Sequence, residues 1–172
     1  MAVESVGLGR KQVQEMTVVL GIDPGLSGGF AWLGDGPLKT FPFPSVKAAK
    51  GREANWALIA DALDFNPVID HAFIERVGAM PNQGSSSGFK FGFNAGGVRG
   101  MVAMLRVPVT YIVPTTWKKF HKLPASKDAS RARASELFPA NAHEFARVKD
   151  DGVAEAALIA YYGRAKLLKG EA

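Results

Sequence analysis

The pattern of apolar positions predicts five strands. Short apolar runs rich in β-branched residues, each ended by glycine or proline, are typical of strands. The clearest run is TVVLGID at 17–23, which Pro24 and Gly25 end abruptly, and its apolar character on both faces favours a central place in a sheet. The first three strands have the short connections of an antiparallel meander. The predicted strands are 17–23, 29–33, 38–43, 68–77 and 109–113.

Between and after these strands the apolar spacing becomes helical. Trp56, Ile59, Ala60 and Leu63 recur at helical intervals, so the segment 52–65 is predicted to be a helix. Further helices are predicted from the end of a Gly/Ser/Asn-rich loop (81–88) to about residue 106, and at 115–120, 127–138 and 151–168. Strands that alternate with helices in this way predict an α/β class with one central, mixed five-stranded sheet flanked by helices.

Composition agrees with one domain of ordinary size. The 172 residues are 47% hydrophobic and 22% charged, and they contain no cysteine, which excludes disulfides and thiolate zinc sites. Residues 1–15 are polar without periodicity, so a flexible N-terminal tail is predicted before a single domain at 16–172. Without a secretory signal, or an apolar run of the roughly 18 residues that a membrane helix needs, a cytoplasmic protein is expected.

Two acidic residues lie within otherwise apolar strands. Asp23 ends the first strand, and Glu75 is embedded in FIERV at 73–77. A carboxylate in such a place must be paired, protonated or bound to a metal. For Asp23 the alternative is a hydrogen bond that caps the Pro-Gly turn, and for Glu75 it is a buried ion pair. Arg76 is poorly placed for that pair, because neighbouring residues in a strand point to opposite faces.

A second pair of acids lies near the C-terminus. Asp151 and Glu155 are four residues apart and would share one face of the last helix, where like charges repel unless a cation bridges them. Capping of the helix N-terminus would explain Asp150 or Asp151, but it does not explain Glu155 among alanines. Four carboxylates with no cysteine or histidine cluster favour Mg²⁺ or Mn²⁺. Two such ions could serve phosphodiester hydrolysis.

Positive charge is concentrated in one segment. The net charge is +5, and 117–133 contains one acid, Asp128, against seven basic or titratable residues. A one-sided basic segment suits a polyanion such as nucleic acid, although a solvated helix face would have the same composition. These residues are Lys118, Lys119, His121, Lys122, Lys127, Arg131 and Arg133.

Three motifs together resemble those of RuvC-type Holliday-junction resolvases, within the RNase H-like superfamily. They are GIDPG (21–25), FIERV (73–77) and DDGVAEAALIAYYG (150–163), and the resemblance spans nearly the whole chain after the tail. MPNQG at 80–84 and FKFGF at 89–93 look like features of the short resolvase-like nucleases of phages and prophages.

The resemblance implies an RNase H-like fold and a metal-binding tetrad of Asp23, Glu75, Asp151 and Glu155. It also places Lys118 and Lys127 where family members have lysines near the scissile phosphate. In the family the last two acids are often three apart, and that position is Gly152 here, so Asp151 is taken as the substitute, with Asp150 as a rival.

A second departure concerns the aromatic residue that in some relatives probes the junction centre. Its position, three after the strand glutamate, is occupied by Gly78. Phe89 or Phe91 could take over this role, or could instead be a core or dimer contact.

Family members act as homodimers that make paired nicks in a four-way junction, in DNA recombination and repair. Small residues at 95–97 and 100 would allow a close helix contact between subunits or inside one.

The activity that the resemblance implies is that of a Mg²⁺-dependent, structure-selective endonuclease on branched DNA. The alternatives are a nuclease for RNA in hybrid duplexes and a non-catalytic junction-binding protein. An actin-like nucleotide-binding domain is disfavoured because that fold needs roughly twice the length.

Overall fold

The computed structural model describes residues 17–49, 51–64, 68–78, 84–126 and 128–171. The predicted tail at 1–15 lies outside them. The strands are β1 (Val19–Asp23), β2 (Gly29–Leu33), β3 (Lys39–Pro42), β4 (Ser45–Lys47), β5 (Arg52–Ala54), β6 (His71–Glu75) and β7 (Val109–Ile112). The helices are α1 (Trp56–Asp64), α2 (Ser85–Met104), α3 (Pro114–Phe120), α4 (Ala129–Leu137) and α5 (Asp151–Lys169), with 3-10 turns at Pro139–Phe145 and Val148–Asp150.

The five predicted strands form one mixed sheet in the order β3-β2-β1-β6-β7. β2 is antiparallel to both of its neighbours, whereas β6 is parallel to β1 and to β7. The strands β1 and β6 are buried apart from their polar ends. Their apolar runs had predicted this burial, which is expected of central strands. Their register places Ile22 opposite Ile74, so the next position on each strand is an acid, Asp23 on β1 and Glu75 on β6.

The prediction of a helix at 52–65 is wrong for the first residues of that segment. Arg52–Ala54 instead pairs with Ser45–Lys47 in a small hairpin, and the chain turns at Gly51, which has a positive φ of 85°. The helix begins only at Trp56, after Asn55, whose side-chain oxygen accepts a hydrogen bond from the Leu58 amide at 3.2 Å. The hairpin escaped prediction because its residues are mostly exposed and show no apolar alternation.

The start of α2 also differs from its prediction. The Gly/Ser/Asn-rich segment was expected to be a loop as far as residue 88, but the helix includes all three serines and begins at Ser85. The preceding part of that loop, 79–83, lies outside the described residues.

Helices cover the sheet on both faces and form two hydrophobic clusters. Leu20 and Ile22 of β1 pack with α1 and α2, whereas Val19 packs with α5 on the other face. Gly21 allows α5 to approach closely, because a Cβ there would lie 2.3 Å from the Ala156 carbonyl oxygen. Since side chains alternate along a strand, Asp23 belongs to the same face as Val19 and Gly21. The fold thereby brings the end of β1 to the first turns of α5.

None of the described helices combines the length and apolar character needed to cross a membrane.

Candidate active site

Asp23 and Glu75 end two adjacent parallel strands on the face that α5 covers. The Asp23 carboxyl is half-buried, and its Oδ1 accepts a hydrogen bond from the Gly25 amide at 3.2 Å. The turn cap considered from the sequence is therefore present, but it engages one oxygen. Burial, together with the charges of Glu75 and Glu155, raises the pKa of Asp23 to about 7 from 3.8. An ionised Asp23 thus needs a nearby cation.

Glu75 is held by a tryptophan rather than by an arginine. The Trp117 indole Nε1 donates a hydrogen bond to Glu75 Oε2 at 2.8 Å, and Glu75 forms no ion pair with Arg76 among the described residues. Burial raises the pKa of Glu75, and this hydrogen bond works in the opposite direction by stabilising the charged form.

Glu155, from the second turn of α5, completes the group. Its Oε1 lies 3.1 Å from Lys118 Nζ and accepts a hydrogen bond from the Ser130 hydroxyl at 3.0 Å. We call Asp23, Glu75, Glu155 and Lys118 the carboxylate site, since the charges of Glu155 and Lys118 act on both Asp23 and Glu75. In the part of the chain that the structure describes, no three acidic or histidine side chains are already arranged as a metal-binding cluster.

The two candidate aspartates at the start of α5 have other partners. Asp150 is buried, and its carboxylate accepts hydrogen bonds from the Arg147 backbone amide and guanidinium at 2.9–3.0 Å. These bonds lower the pKa of Asp150 and cap the preceding 3-10 turn. Asp151 lies 2.6 Å from Arg131 Nε, and its carboxylate remains partly exposed. The predicted role of Asp151 as a metal ligand therefore requires Arg131 to move.

Gly152 occupies the position that often carries an acid in the resolvases. A Cβ at this residue would lie 2.0 Å from the Ser27 carbonyl oxygen and 2.3 Å from Gly28 Cα. Backbone atoms cannot give way as a flexible side chain would, so this site has no room for any side chain. The departure from the family pattern thus has a packing cause.

The predicted nucleic-acid contacts differ in their exposure. Lys119 and Lys122 are exposed and Lys118 is partly exposed, whereas Arg131 is mostly buried between Asp128 and Asp151. Lys127 lies outside the described residues. Phe89 is 74% exposed and its ring stacks on Phe93, so it is not a core residue.

Two contributors to the site were missed from the sequence, Trp117 and Ser130. Trp117 is fully buried and Ser130 is nearly so, yet each donates a hydrogen bond to one of the carboxylates. The only sequence signals were a tryptophan directly before the candidate lysine and a serine in an alanine-rich helix. Neither signal identifies a partner that is more than twenty residues away.

Comparison with known proteins establishes the fold. RuvC of T. thermophilus, solved in complex with a Holliday junction substrate, superposes with a TM-score of 0.64 over 90% of this chain and 98% of that chain, at 19% identity. A second Thermus thermophilus RuvC structure gives a TM-score of 0.53 over 87% of this chain and 96% of that one, at 22% identity. No family model and no curated protein sequence matches the chain. The α/β, RNase H-like fold predicted from the sequence is confirmed.

Proposed function

We propose that this chain is a divalent-metal-dependent endonuclease that nicks branched DNA, with four-way junctions as its principal substrate. The observation that carries the proposal is that the charges of Asp23, Glu75 and Glu155, on three separate elements, act on one another beside Lys118. Three carboxylates in a partly buried place repel one another, and an arrangement of this kind is costly unless a cation is bound in use.

The donor chemistry of the carboxylate site fits Mg²⁺ or Mn²⁺. The contacts among described residues engage Asp23 Oδ1, Glu75 Oε2 and Glu155 Oε1, which leaves the second oxygen of each as a candidate ligand. Asp151 is the proposed fourth ligand, once released from Arg131. We propose two ions, which when bound would activate water and stabilise the leaving oxygen.

The protein groups have distinct tasks in this proposal. In the metal-free site a proton on Asp23 and the ammonium of Lys118 offset the repulsion between the carboxylates. With a cation held by Asp23 and Glu155, Asp23 would be ionised and Lys118 would no longer be needed as the partner of Glu155. Lys118, together with Lys127, then contacts the phosphate group under attack and stabilises its negative charge.

Branched DNA is proposed as the substrate on two grounds. The RuvC structure that this chain resembles was solved with a Holliday junction, and this chain has exposed lysines at Lys119 and Lys122 near the carboxylate site. We also propose, from the MPNQG and FKFGF segments, that the chain belongs with the phage-like resolvases. Hybrid RNA–DNA is the second candidate substrate, since Gly78 replaces the junction-probing aromatic.

A homodimer is part of the proposal, because a junction requires two symmetric nicks. Gly97 of α2 packs against Trp56 inside the subunit, where a Cβ would lie 2.2 Å from the indole ring. Gly96 and Gly100 are exposed instead, and within the part of the chain that the structure describes no atom lies within 4 Å of their Cβ positions. The outward-facing glycines are therefore the ones available for contact with a second copy.

The test is cleavage of junction, flap and hybrid substrates with Mg²⁺, comparing wild type with Asp23→Asn and with Asp61→Asn as control. Asp61 is an exposed aspartate of α1, which packs on the opposite face of the sheet. We expect wild type and Asp61→Asn to nick the junction symmetrically and Asp23→Asn to be inactive. Cleavage of the hybrid alone would mean that the hybrid, and not branched DNA, is the substrate. Asp23→Asn activity equal to that of wild type would refute the metal site.

Wild type and Asp23→Asn can also be compared by their thermal stability, measured without added divalent metal. Asp23 in the folded state holds its proton up to a pH of about 7, whereas the unfolded chain releases it near 3.8. Raising the pH through this window therefore destabilises wild type, because the unfolded state binds fewer protons. Asp23→Asn lacks this cost and should melt at a higher temperature than wild type at pH 8, a difference that shrinks towards pH 4.

A further inference from the structure

We infer that Trp117 is a positioning residue, whose indole N–H fixes the orientation of the Glu75 carboxylate so that its second oxygen is presented to a divalent cation. The inference deepens the proposed function and rests on it for the role of the cation. The hydrogen bond itself and the packing around it are features of the metal-free protein.

The geometry makes Trp117 a rigid donor. The indole is fully buried, and its Nε1 lies 2.8 Å from Glu75 Oε2. The edge of the His121 ring packs against it with ring centroids 6.4 Å apart, and Lys118 Nζ lies 5.0 Å from its centre. A buried aromatic ring in a packed environment does not rotate without displacing its neighbours. Glu75, by contrast, has a flexible side chain that would lose its orientation without this donor.

A second buried tryptophan, Trp32, differs from Trp117 in the surroundings of its indole N–H. Trp32 of β2 is also buried, and its indole N–H has no hydrogen-bond partner among the described residues. The fold therefore accommodates one indole for its apolar surface, while the other indole donates to a carboxylate. A hydrogen bond to an ionised group is stronger than one between neutral groups, so the Trp117 contact favours the charged, ligand-competent form of Glu75.

The short helix α3 connects this contact to the rest of the carboxylate site. Trp117 binds Glu75 of β6, and the next residue, Lys118, pairs with Glu155 of α5. A bound cation would repel the ammonium of Lys118 but not the indole N–H of Trp117, because the indole is neutral. Trp117 would thus hold Glu75 in place whether or not Lys118 stays paired with Glu155.

The experiment compares Trp117→Phe with Trp32→Phe, two substitutions that remove the same atoms from buried tryptophans. In ¹⁵N-labelled wild type, the indole N–H signals are assigned from these variants and followed during titration with Mg²⁺. We expect the Trp117 signal to shift on addition of Mg²⁺ and the Trp32 signal to stay. Glu75→Gln should abolish the Mg²⁺-dependent shift.

Kinetics provide the second measurement. Trp117→Phe should raise the Mg²⁺ concentration for half-maximal cleavage by about 10-fold or more and lower kcat, as removal of groups that orient metal ligands generally does. The KM for the junction should be unchanged, and Trp32→Phe should match wild type in all three quantities. If Trp117→Phe is poorly folded, a sulfur isostere of tryptophan that lacks the N–H, incorporated in a Trp32→Phe/Trp56→Phe background, removes the donor and keeps the shape.

The outcomes separate the two proposals. A Trp117 signal that responds to Mg²⁺, with unchanged Mg²⁺ dependence in the donor-less variants, would overturn positioning and leave the metal site intact. A wild-type protein in which no indole signal responds and no substrate is cut would overturn both. Junction cleavage with an unresponsive Trp117 signal would place the cation away from Glu75.

Discussion

At the scale of single residues, charge in a buried place is what sets the carboxylate site apart. Asp23 has one oxygen satisfied by the Gly25 amide, and burial still raises its pKa to about 7. Asp150 shows the opposite case, because the Arg147 guanidinium and amide satisfy it and lower its pKa. Asp23 is half-buried and Asp150 is buried, so both carboxyl groups are partly or wholly removed from solvent. Only the first is left in need of a further positive charge.

Gly152 gives a residue-scale prediction about packing. Gly152→Ala should destabilise the protein by about 3 kcal/mol, the upper end of the usual cost of overpacking, since the added methyl would overlap backbone atoms of Ser27 and Gly28. The measurement is the denaturant midpoint of the metal-free protein. Gly78→Ala is the matched control, because no atom of the described residues lies within 4 Å of a Cβ there. A Gly152→Ala variant as stable as the control would mean that α5 does not approach β1 and β2 as closely as described.

The residues of the site were predictable to different degrees. Asp23, Glu75 and Glu155 stood out in the sequence because each is an acid among apolar neighbours, and in the structure the charges of Glu75 and Glu155 both act on Asp23; their role as metal ligands stays a prediction. Residue spacing could not distinguish Asp150 from Asp151, since their partners Arg147 and Arg131 are revealed only by tertiary structure. Trp117 and Ser130 were missed for the same reason: a hydrogen bond to a distant element leaves no local pattern.

At the scale of elements, burial determined what could be predicted. The five strands of the central sheet carry apolar runs, and all five were predicted with small shifts at their ends. The β4–β5 hairpin is mostly exposed and rich in charge, so nothing in its apolar pattern distinguished it from the start of a helix. The segment 117–133 was predicted to be basic, and the structure divides its charges between exposed lysines and the mostly buried Arg131.

The exposed lysines after Trp117 lead to a prediction on DNA binding. The double variant Lys119→Ala/Lys122→Ala should reduce the slope of log affinity against log salt concentration by about 2, if each lysine contacts one phosphate. Binding of a four-way junction at several salt concentrations, without a divalent metal, measures this slope. Lys169→Ala is the control, because it lies at the far end of α5 from Glu155. An unchanged slope in the double variant would place the DNA elsewhere.

At the scale of the whole molecule, topology assembles the site and leaves one helix surface uncovered. Parallel pairing of β1 with β6 sets the two strand-end acids side by side, and the close approach of α5 through Gly21 adds Glu155. On the other face, α2 carries glycines at every fourth position, Gly88, Gly92, Gly96 and Gly100, and no described residue has an atom within 4 Å of a Cβ at any of them. Each costs roughly 1 kcal/mol of helix stability relative to alanine, which a packing role outside the subunit would offset.

The glycine row therefore carries the prediction on assembly. Residues four apart on a helix lie on one side, about 6 Å apart along the axis, so the row forms a shallow groove into which a second helix fits closely. The exposed rings of Phe89 and Phe93 extend from the same helix and supply apolar surface.

Gly96→Glu should convert a dimer into monomers, because it places a charged side chain within the contact, whereas Gly36→Glu, at an open turn, should not. Molar mass measured by light scattering over a range of concentrations distinguishes the two states. A wild-type mass of one chain at all concentrations, or a Gly96→Glu variant that stays dimeric, would exclude this helix as the interface. The cleavage products give an independent reading, since monomers would leave unpaired nicks in a junction that a dimer cuts symmetrically.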